Sequence, residues 1–341
     1  MTQMTTMRDV AAIADVSVKT VSRVFNGDPH VTPETRARVE AVLRELNYVP
    51  NTLATAFRSG RAPVIGIAVP DIVDPFFAAI AQAIEAQAAA SGMSVLVTSV
   101  GADPDREATV VEALLKHSLS GLVIAPITTD QSYLKPWTAN TPIVFVDRAP
   151  TRLVADSFTE DDTGGAFDAT SHIIGHGHSR IAFLGDTNEI PTTQGRIAGY
   201  EAALACHGIP VRDELVAMGV RDRRSAADAI AGLASLPTPP TAVFCSNARC
   251  TMAAIPALKP LGWAVVGFGD FPMADLLTPS ITVVDQDPSA LGSLAAGRIL
   301  DRIDHPNRRY RRRTVLPVTL VTRDSCAAPA GSCAERRALG A

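Results

Sequence analysis

Apolar residues follow two different periods along this chain of 341 residues, and the change between them falls near residue 61. Before it, Val10, Ala11, Ile13 and Ala14 recur at helical spacing, as do Val21, Val24 and Phe25, and then Val39, Val42, Leu43 and Leu46. Three short helices are predicted. Thr6 with Asp9 three residues on fits a capping box for the first, and Asp15-Val16 leaves room only for a tight turn. Ser17 caps the second helix, and Thr32-Pro33 opens the third with proline at its first helical position. After Arg61 come short apolar runs that alternate with amphipathic stretches. Runs at 64–69, 95–100, 122–125 and 143–146 predict buried strands, with helices at 78–90 and 107–117 among them. The rhythm then restarts, with strands at 181–184, 242–245 and 265–268 and helices near 162–175, 194–207 and 223–235. Such βαβα order predicts parallel sheets covered by helices on both faces. Its restart predicts two doubly wound halves, with a ligand crevice outside the carboxyl ends of the strands.

The second helix turns Val18, Lys19, Ser22 and Arg23 away from its apolar side, with no acidic residue there to repel a phosphate. Small, polar and basic side chains at the exposed start of such a helix suit the DNA major groove. An ordinary αα-hairpin is the alternative for the pair taken alone. The net charge of −4 looks wrong for a DNA binder until it is divided along the chain. Residues 1–60 hold seven basic and six acidic side chains, whereas 61–341 hold 24 and 29. DNA binding must therefore rely on where charges sit, and an acidic body discourages non-specific adhesion. Cys206, Cys245, Cys250, Cys326 and Cys333 form no CxxC pair and no disulfide framework, as expected of thiols in a reducing cytoplasm. No apolar run reaches the length of a membrane span, and no secretory leader is expected.

The stretches RDVAAIADVSVKTVSRVFN, VTPETRARV and LNYVPNTLATAFRSG, in that order, resemble the lactose-repressor family of bacterial transcription regulators. The likeness continues through IGIAVPDIVDPFFAAIAQAIE, VDR at 146–148, IIGHGHSRIAFLGD, RIAGYEAAL and LLTPSITVVDQDPSALG, and so covers nearly the whole chain. It implies an α/β fold with an all-α helix-turn-helix headpiece at 1–50 and a hinge helix at 51–61. A two-lobed, doubly wound body at 62–323, like a periplasmic sugar-binding protein, would bind effector and dimerise, and 324–341 would be a flexible tail. Lobe one is expected at 62–155 with a return at 286–313, and lobe two at 156–284 with a last strand at 315–321.

The resemblance implies a repressor that binds a palindromic double-stranded DNA operator as a homodimer, tuned by a small sugar-like molecule, with no cofactor and no membrane. A sugar-binding receptor without DNA function is the alternative, and no catalytic constellation is seen. Val18, Lys19 and Arg23 are expected at base edges, Ser17, Thr20 and Ser22 on phosphates, and Asn26 beside them. In the hinge, Asn51 would cap a short helix whose Leu53, Ala54 and Phe57 share a face. Such a run is too short to be stable alone and needs a partner, and Phe57 stands where the family wedges a leucine into the minor groove. Packing of Phe57 against the body is the alternative. Expected effector contacts are Asp74, Phe76, Phe77, Asp147, Arg196, Asn247 and Gln286, because each sugar hydroxyl wants donor and acceptor together. Plain core packing for Phe76 and Phe77, and a structural Asp147–Arg148 ion pair, remain open.

Two departures from the family pattern lie beside that pocket. Gly269 stands where a frequent ligand-contacting aspartate is expected, and 247–264 looks short, with Pro256 and Pro260 interrupting an expected helix. His172, His176 and His178 have zinc-like spacing, but Gly175 and Gly177 fall among them and no acidic or cysteine partner is adjacent, so no metal is expected. The run from Arg308 to Arg313 reads as a solvated surface loop.

Overall fold

The computed structural model describes residues 6–25, 28–46, 48 and 63–326. The expected hinge helix and all but the first residues of the tail lie outside them. Two compact units result, the first ending at Ala62 and the second beginning at Pro63.

The first unit packs α1 (Met7–Ile13), α2 (Val18–Phe25) and α3 (Pro33–Glu45) around Val10, Ala11, Ala14, Val21, Val24, Val39 and Val42. Thr6 and Asp9 form the capping box, and the Thr35 amide donates to Thr32 Oγ1. Asp15 takes a left-handed backbone (φ 51°) to make the tight turn, a conformation that aspartate tolerates better than most residues. Two apolar residues do not sit where helical spacing put them. Ile13 is 56% exposed and Phe25 46%, because the neighbouring Ala14 and Val24 take the buried positions at those helix ends.

The second unit holds two six-stranded sheets. The first lobe orders its strands β11-β5-β4-β3-β1-β2, all parallel: β1 (Val64–Val69), β2 (Ser94–Ser99), β3 (Gly121–Ile124), β4 (Ile143–Val146), β5 (Asp156–Glu160) and β11 (Arg313–Leu316). Helices α4 (Pro75–Ala90) and α10 (Pro288–Asp304) pack together over one face, and α5 (Pro104–Leu115) covers the other. The second lobe orders β12-β10-β9-β8-β6-β7: β6 (Ile181–Leu184), β7 (Val216–Ala217), β8 (Ala242–Cys245), β9 (Ala264–Phe268), β10 (Thr282–Asp285) and an antiparallel edge, β12 (Thr319–Val321). Helices α6 (Asp162–Gly175) and α7 (Pro191–Cys206) cover one face, and α8 (Arg223–Ala234) and α9 (Ala248–Leu258) the other. Each lobe brings one helix pair very close through a glycine. A Cβ on Gly292 would lie 2.5 Å from the Ile80 carbonyl, and one on Gly199 2.2 Å from that of Thr163.

The chain passes between lobes three times, after β5, after β10 and between β11 and β12. The expected boundaries are corrected accordingly. Segment 156–160 belongs to the first lobe, and the predicted last strand at 315–321 is divided between the two sheets. Asp147 and Arg148 end a strand but do not lie at a crossing. The sequence DSFTE of β5 is polar yet wholly buried. Arg302 donates to Asp156 from Nε (2.8 Å) and Nη2 (3.1 Å), and Arg312 from Nη1 (3.2 Å). Part of the arginine run is therefore used internally, and the Tyr310 ring lies among Arg298, Arg302 and Arg308 at 4.4–5.4 Å. The predicted buried strand at 95–100 is instead an edge strand with Leu96 and Val97 exposed. Finally, α9 runs through Pro256 and ends in a 3-10 turn at Lys259–Leu261, closed by left-handed Gly262. A proline in the last turn withholds a single amide, and the helix survives it.

Candidate functional site

In the headpiece, α2 begins on Ser17, whose hydroxyl accepts the Thr20 amide at 3.1 Å and bonds the Thr20 hydroxyl at 2.9 Å. Val18, Lys19 and Arg23 are exposed, Thr20 and Ser22 half-buried, and no acidic residue lies in the first turn. The open amides of a helix start favour a phosphate there. Arg23 is not loose: its Nε lies 3.4 Å from Asp28 Oδ2, and the Asp28 carbonyl is held by Arg36 Nη2 at 2.6 Å. Asn26, Asn51, Ala54 and Phe57 lie outside the described residues.

The second site is the cleft between lobes. All strands of each sheet except β12 are parallel, so their carboxyl ends, and the starts of the helices that follow them, open onto one place. Six of those starts are marked by side-chain caps: Asp74 on α4, Asp103 on α5, Asp161 on α6, Asp222 on α8, Asn247 on α9 and Asp287 on α10. The cavity they surround has a volume of about 430 Å³, within the roughly 300–1,000 Å³ range of small-molecule sites. Asp74, Phe76, Phe77, Asp147, Arg196, Asn247 and Gln286 all line it. Phe77 is also part of the core of its lobe, so both readings of that ring hold together.

Arg196 is 5% exposed and tightly placed. Its Nε and Nη2 each lie 2.8 Å from Asp162 Oδ1, Nη1 donates to the Ser246 carbonyl at 2.6 Å, and its guanidinium stacks 3.8 Å from the Phe268 ring centre. Three of its five N–H groups are so used, and two remain for a ligand. Asn247 spends Oδ1 on the Cys250 amide (2.8 Å) and keeps its amide nitrogen. Across the cleft, Asp147 adopts φ 65°, an uncommon backbone for a residue with a side chain, and Arg148 Nε lies 3.0 Å from its carboxylate. Gln286 Nε2 donates to Glu160, the last residue of β5. Burial, reinforced by the charge of Asp147, pushes the Glu160 carboxyl up to about 8. Burial also lifts Asp162 to about 6, with Arg196 pulling against it, and raises Asp74.

Several lining groups gave no signal in the sequence. Asp71, after β1, meets Arg249, in the first turn of α9, at 2.5 Å and so bridges the lobes. Asp186 accepts from the Thr193 hydroxyl at 3.0 Å, and Glu160 and Asp162 stand behind the lining, bonded to Gln286 and Arg196. Only their place at strand ends distinguishes them. Gly269 has φ 84° and lines an adjoining recess with Phe76 and Gln286; a Cβ there would lie 3.0 Å from Gln286 Oε1. The following Asp270 is not free to replace the missing aspartate, since Arg323 clamps it at 2.6 and 3.1 Å. Taken together, the cleft offers paired donors and acceptors, two aromatic rings, and five carboxylates balanced by five arginines in its lining. Such a mixture of donors, acceptors and rings suits a polar, hydroxyl-rich molecule.

Comparison with known proteins is consistent along the chain. Residues 6–51 match the family model described as bacterial regulatory proteins, lacI family. Residues 62–323 match the model for periplasmic binding proteins and the sugar binding domain of the LacI family. The ribose operon repressor of Escherichia coli (strain K12) is 30% identical over 325 residues, covering 93% of this chain and 98% of that protein. Among solved structures, the Lac repressor dimer bound to operator and the anti-inducer ONPF superposes with a TM-score of 0.84 at 28% identity, covering 96% of this chain and 100% of that one. A complex of the transcriptional regulator CelR with cellobiose gives 0.68 at 27% identity, covering 94% and 99%.

Proposed function

The chain belongs to the lacI family of bacterial regulatory proteins, and on that premise we propose that it is a dimeric repressor. It reads a palindromic operator through α2 and changes its grip when a small, hydroxyl-rich effector occupies the inter-lobe cleft. One observation carries this reading: the same chain presents an exposed Val18-to-Arg23 face on a capped second helix and a cleft where side chains of both lobes converge. The names of its relatives favour a sugar or sugar-bearing molecule, since one is a ribose operon repressor and another was solved with cellobiose. A dimer also gives the exposed apolar edge of β2 a natural cover. No helix of the described residues is long and apolar enough to cross a membrane, and we place the protein in the cytoplasm with its DNA.

The test is a gel shift on the region upstream of the protein's own gene. Arg23→Ala should weaken operator binding by about 5- to 150-fold per half-site, the equivalent of losing one bidentate base contact worth about 1–3 kcal/mol. Unchanged affinity and salt slope in that variant would remove α2 from the interface. A thermal-shift screen over sugars, nucleosides and amino acids then identifies the effector, since a ligand at a hundred times its Kd adds about 2.7 kcal/mol of stability.

A further inference from the structure

At the far pole of the second lobe, the fold supplies the partner that the histidine spacing lacked. Three side chains meet at the C-terminal end of α6: His172 in its last turn, His176 at its cap, and Cys326, which arrives from beyond β12. One donor atom from each lies within 4.8 Å of the other two. Asp162, at the other end of the helix, faces the cleft, so this cluster lies about 20 Å from the effector site at 1.5 Å per residue.

We propose that His172, His176 and Cys326 form a binding site for a borderline-soft divalent cation of the Zn2+ type, with three protein ligands and a fourth position open to solvent. The state of each donor fits that role. His176 Nδ1 lies 2.9 Å from the His172 carbonyl, which only accepts, so Nδ1 carries the proton and Nε2 presents its lone pair. A ring nitrogen tied to a backbone carbonyl in this way is the usual support for a metal-ligating histidine. His172 Nε2 is buried and has no hydrogen-bond partner among the described residues. Its ring lies 4.4 Å from that of His176, and burial together with the neighbouring ring disfavours its protonated form. Cys326 is buried, which pushes its thiol up to about 11, so a cation binds there only by displacing the thiol proton to solvent.

The cysteine is also held in place from outside the cluster. Its neighbour Ser325 donates its hydroxyl to the Val265 carbonyl at 2.5 Å, accepts the Thr282 amide at 2.8 Å, and receives the Val265 amide on its own carbonyl at 3.0 Å. No carboxylate joins the set, which favours zinc over calcium or magnesium. Bonds of about 2.0–2.3 Å in a tetrahedron set donors roughly 3.3–3.8 Å apart. The three must therefore draw in by about 1 Å, a movement that rotation of two histidine side chains supplies. His178 has a different task, since its Nδ1 bonds the Thr241 hydroxyl at 2.8 Å. The carbonyl end of α6 adds a favourable field for a cation.

Full-length protein stripped with chelator and titrated with Zn2+ against a chromogenic chelator should show one tight equivalent per chain. His172→Ala and Cys326→Ser should each weaken that equivalent about ten-fold or more. Co2+ in place of Zn2+ should give a thiolate-to-metal charge-transfer band that vanishes in Cys326→Ser. Circular dichroism of the stripped variants checks that they fold. A band that survives Cys326→Ser, zinc affinity unmoved by His172→Ala, or no tight equivalent at all would each overturn the site. None of these readouts depends on DNA or effector, so their failure leaves the regulatory reading untouched.

Discussion

The two walls of the cleft are built on the same six-stranded plan but reach the ligand space in different states. On the second lobe the charged groups already have partners, although burial lifts Asp162 to about 6. Arg196 is fixed by Asp162, the Ser246 carbonyl and the Phe268 ring, and Asp186 is met by Thr193. On the first lobe the corresponding groups are under tension. Asp147 sits at a left-handed backbone, burial raises Asp74, and Glu160 keeps a proton to about 8 with one buried oxygen lacking a partner among the described residues. A wall that is already organised sets the orientation of a ligand. A wall that is strained changes energy when the ligand arrives, and only such a difference between states lets binding shift an equilibrium.

The largest test removes the fixed wall. Arg196→Ala leaves Asp162 buried without its partner, and breaking a buried pair costs about 3–5 kcal/mol. Urea unfolding should show a loss of that order, and calorimetry should show no effector binding. Arg196→Lys should not restore either, because an ammonium cannot reproduce the two-point grip and the ring stacking. A variant that keeps both stability and binding would erase the contrast between the walls.

Filling Gly269 comes next. At φ 84°, any side chain is strained by about 1–2 kcal/mol. An added Cβ also crowds Gln286 Oε1 and through it Glu160. Gly269→Asp should therefore lower both thermal stability and effector affinity, although it restores the aspartate usual at this position in the family. Improved sugar affinity by calorimetry would show that the recess relaxes more readily than its geometry implies.

The strained wall is read through pH. The unfolded chain releases the Glu160 proton near the ordinary 4.5, whereas the folded protein holds it to about 8. The folded state binds more protons in that window, so this group's contribution is full below 4.5 and is lost as pH rises towards 8. Glu160→Gln should flatten the pH dependence of unfolding, with its advantage over the parent greatest near pH 8 and absent near pH 4.5. Parallel curves for the two proteins would mean that the carboxyl is ionised in the fold. The smallest effect is expected at the bridge between walls. Arg249→Ala cuts a half-exposed pair worth at most about 1 kcal/mol, so unfolding should barely move. X-ray scattering of the free protein should instead report a more open pair of lobes.

The sequence showed most of the strands because their apolar runs match strand length, and it missed β5 for a physical reason. Asp156, Ser157, Thr159 and Glu160 form no apolar run, yet they are buried because Arg302 and Arg312, more than 140 positions downstream, satisfy Asp156. Contacts of that range leave no local trace. The seven expected ligand residues share one cleft because strand ends and helix starts are visible in the letters as capping aspartates, asparagine and proline. Asp71, Arg249, Glu160 and Asp162 were not legible, since their partners (Asp71 with Arg249, Glu160 with Gln286, Asp162 with Arg196) lie far apart along the chain. Ile13 and Phe25 were assigned to a buried face that the adjacent Ala14 and Val24 occupy instead.

The three passages of chain between lobes bear on how the protein is made. Neither sheet is encoded by one continuous segment: the first lobe lacks β11 until residue 316 has been synthesised, and the second lobe lacks its edge strand until 321. At ~5–20 residues per second on the ribosome, the strands laid down by residue 160 wait roughly ten to thirty seconds for their last neighbour. During that wait β5 is an open edge with Asp156 still missing the arginines that neutralise it. The body is born as two unfinished halves that complete one another almost together, so a fragment ending anywhere short of 316 leaves both sheets unclosed.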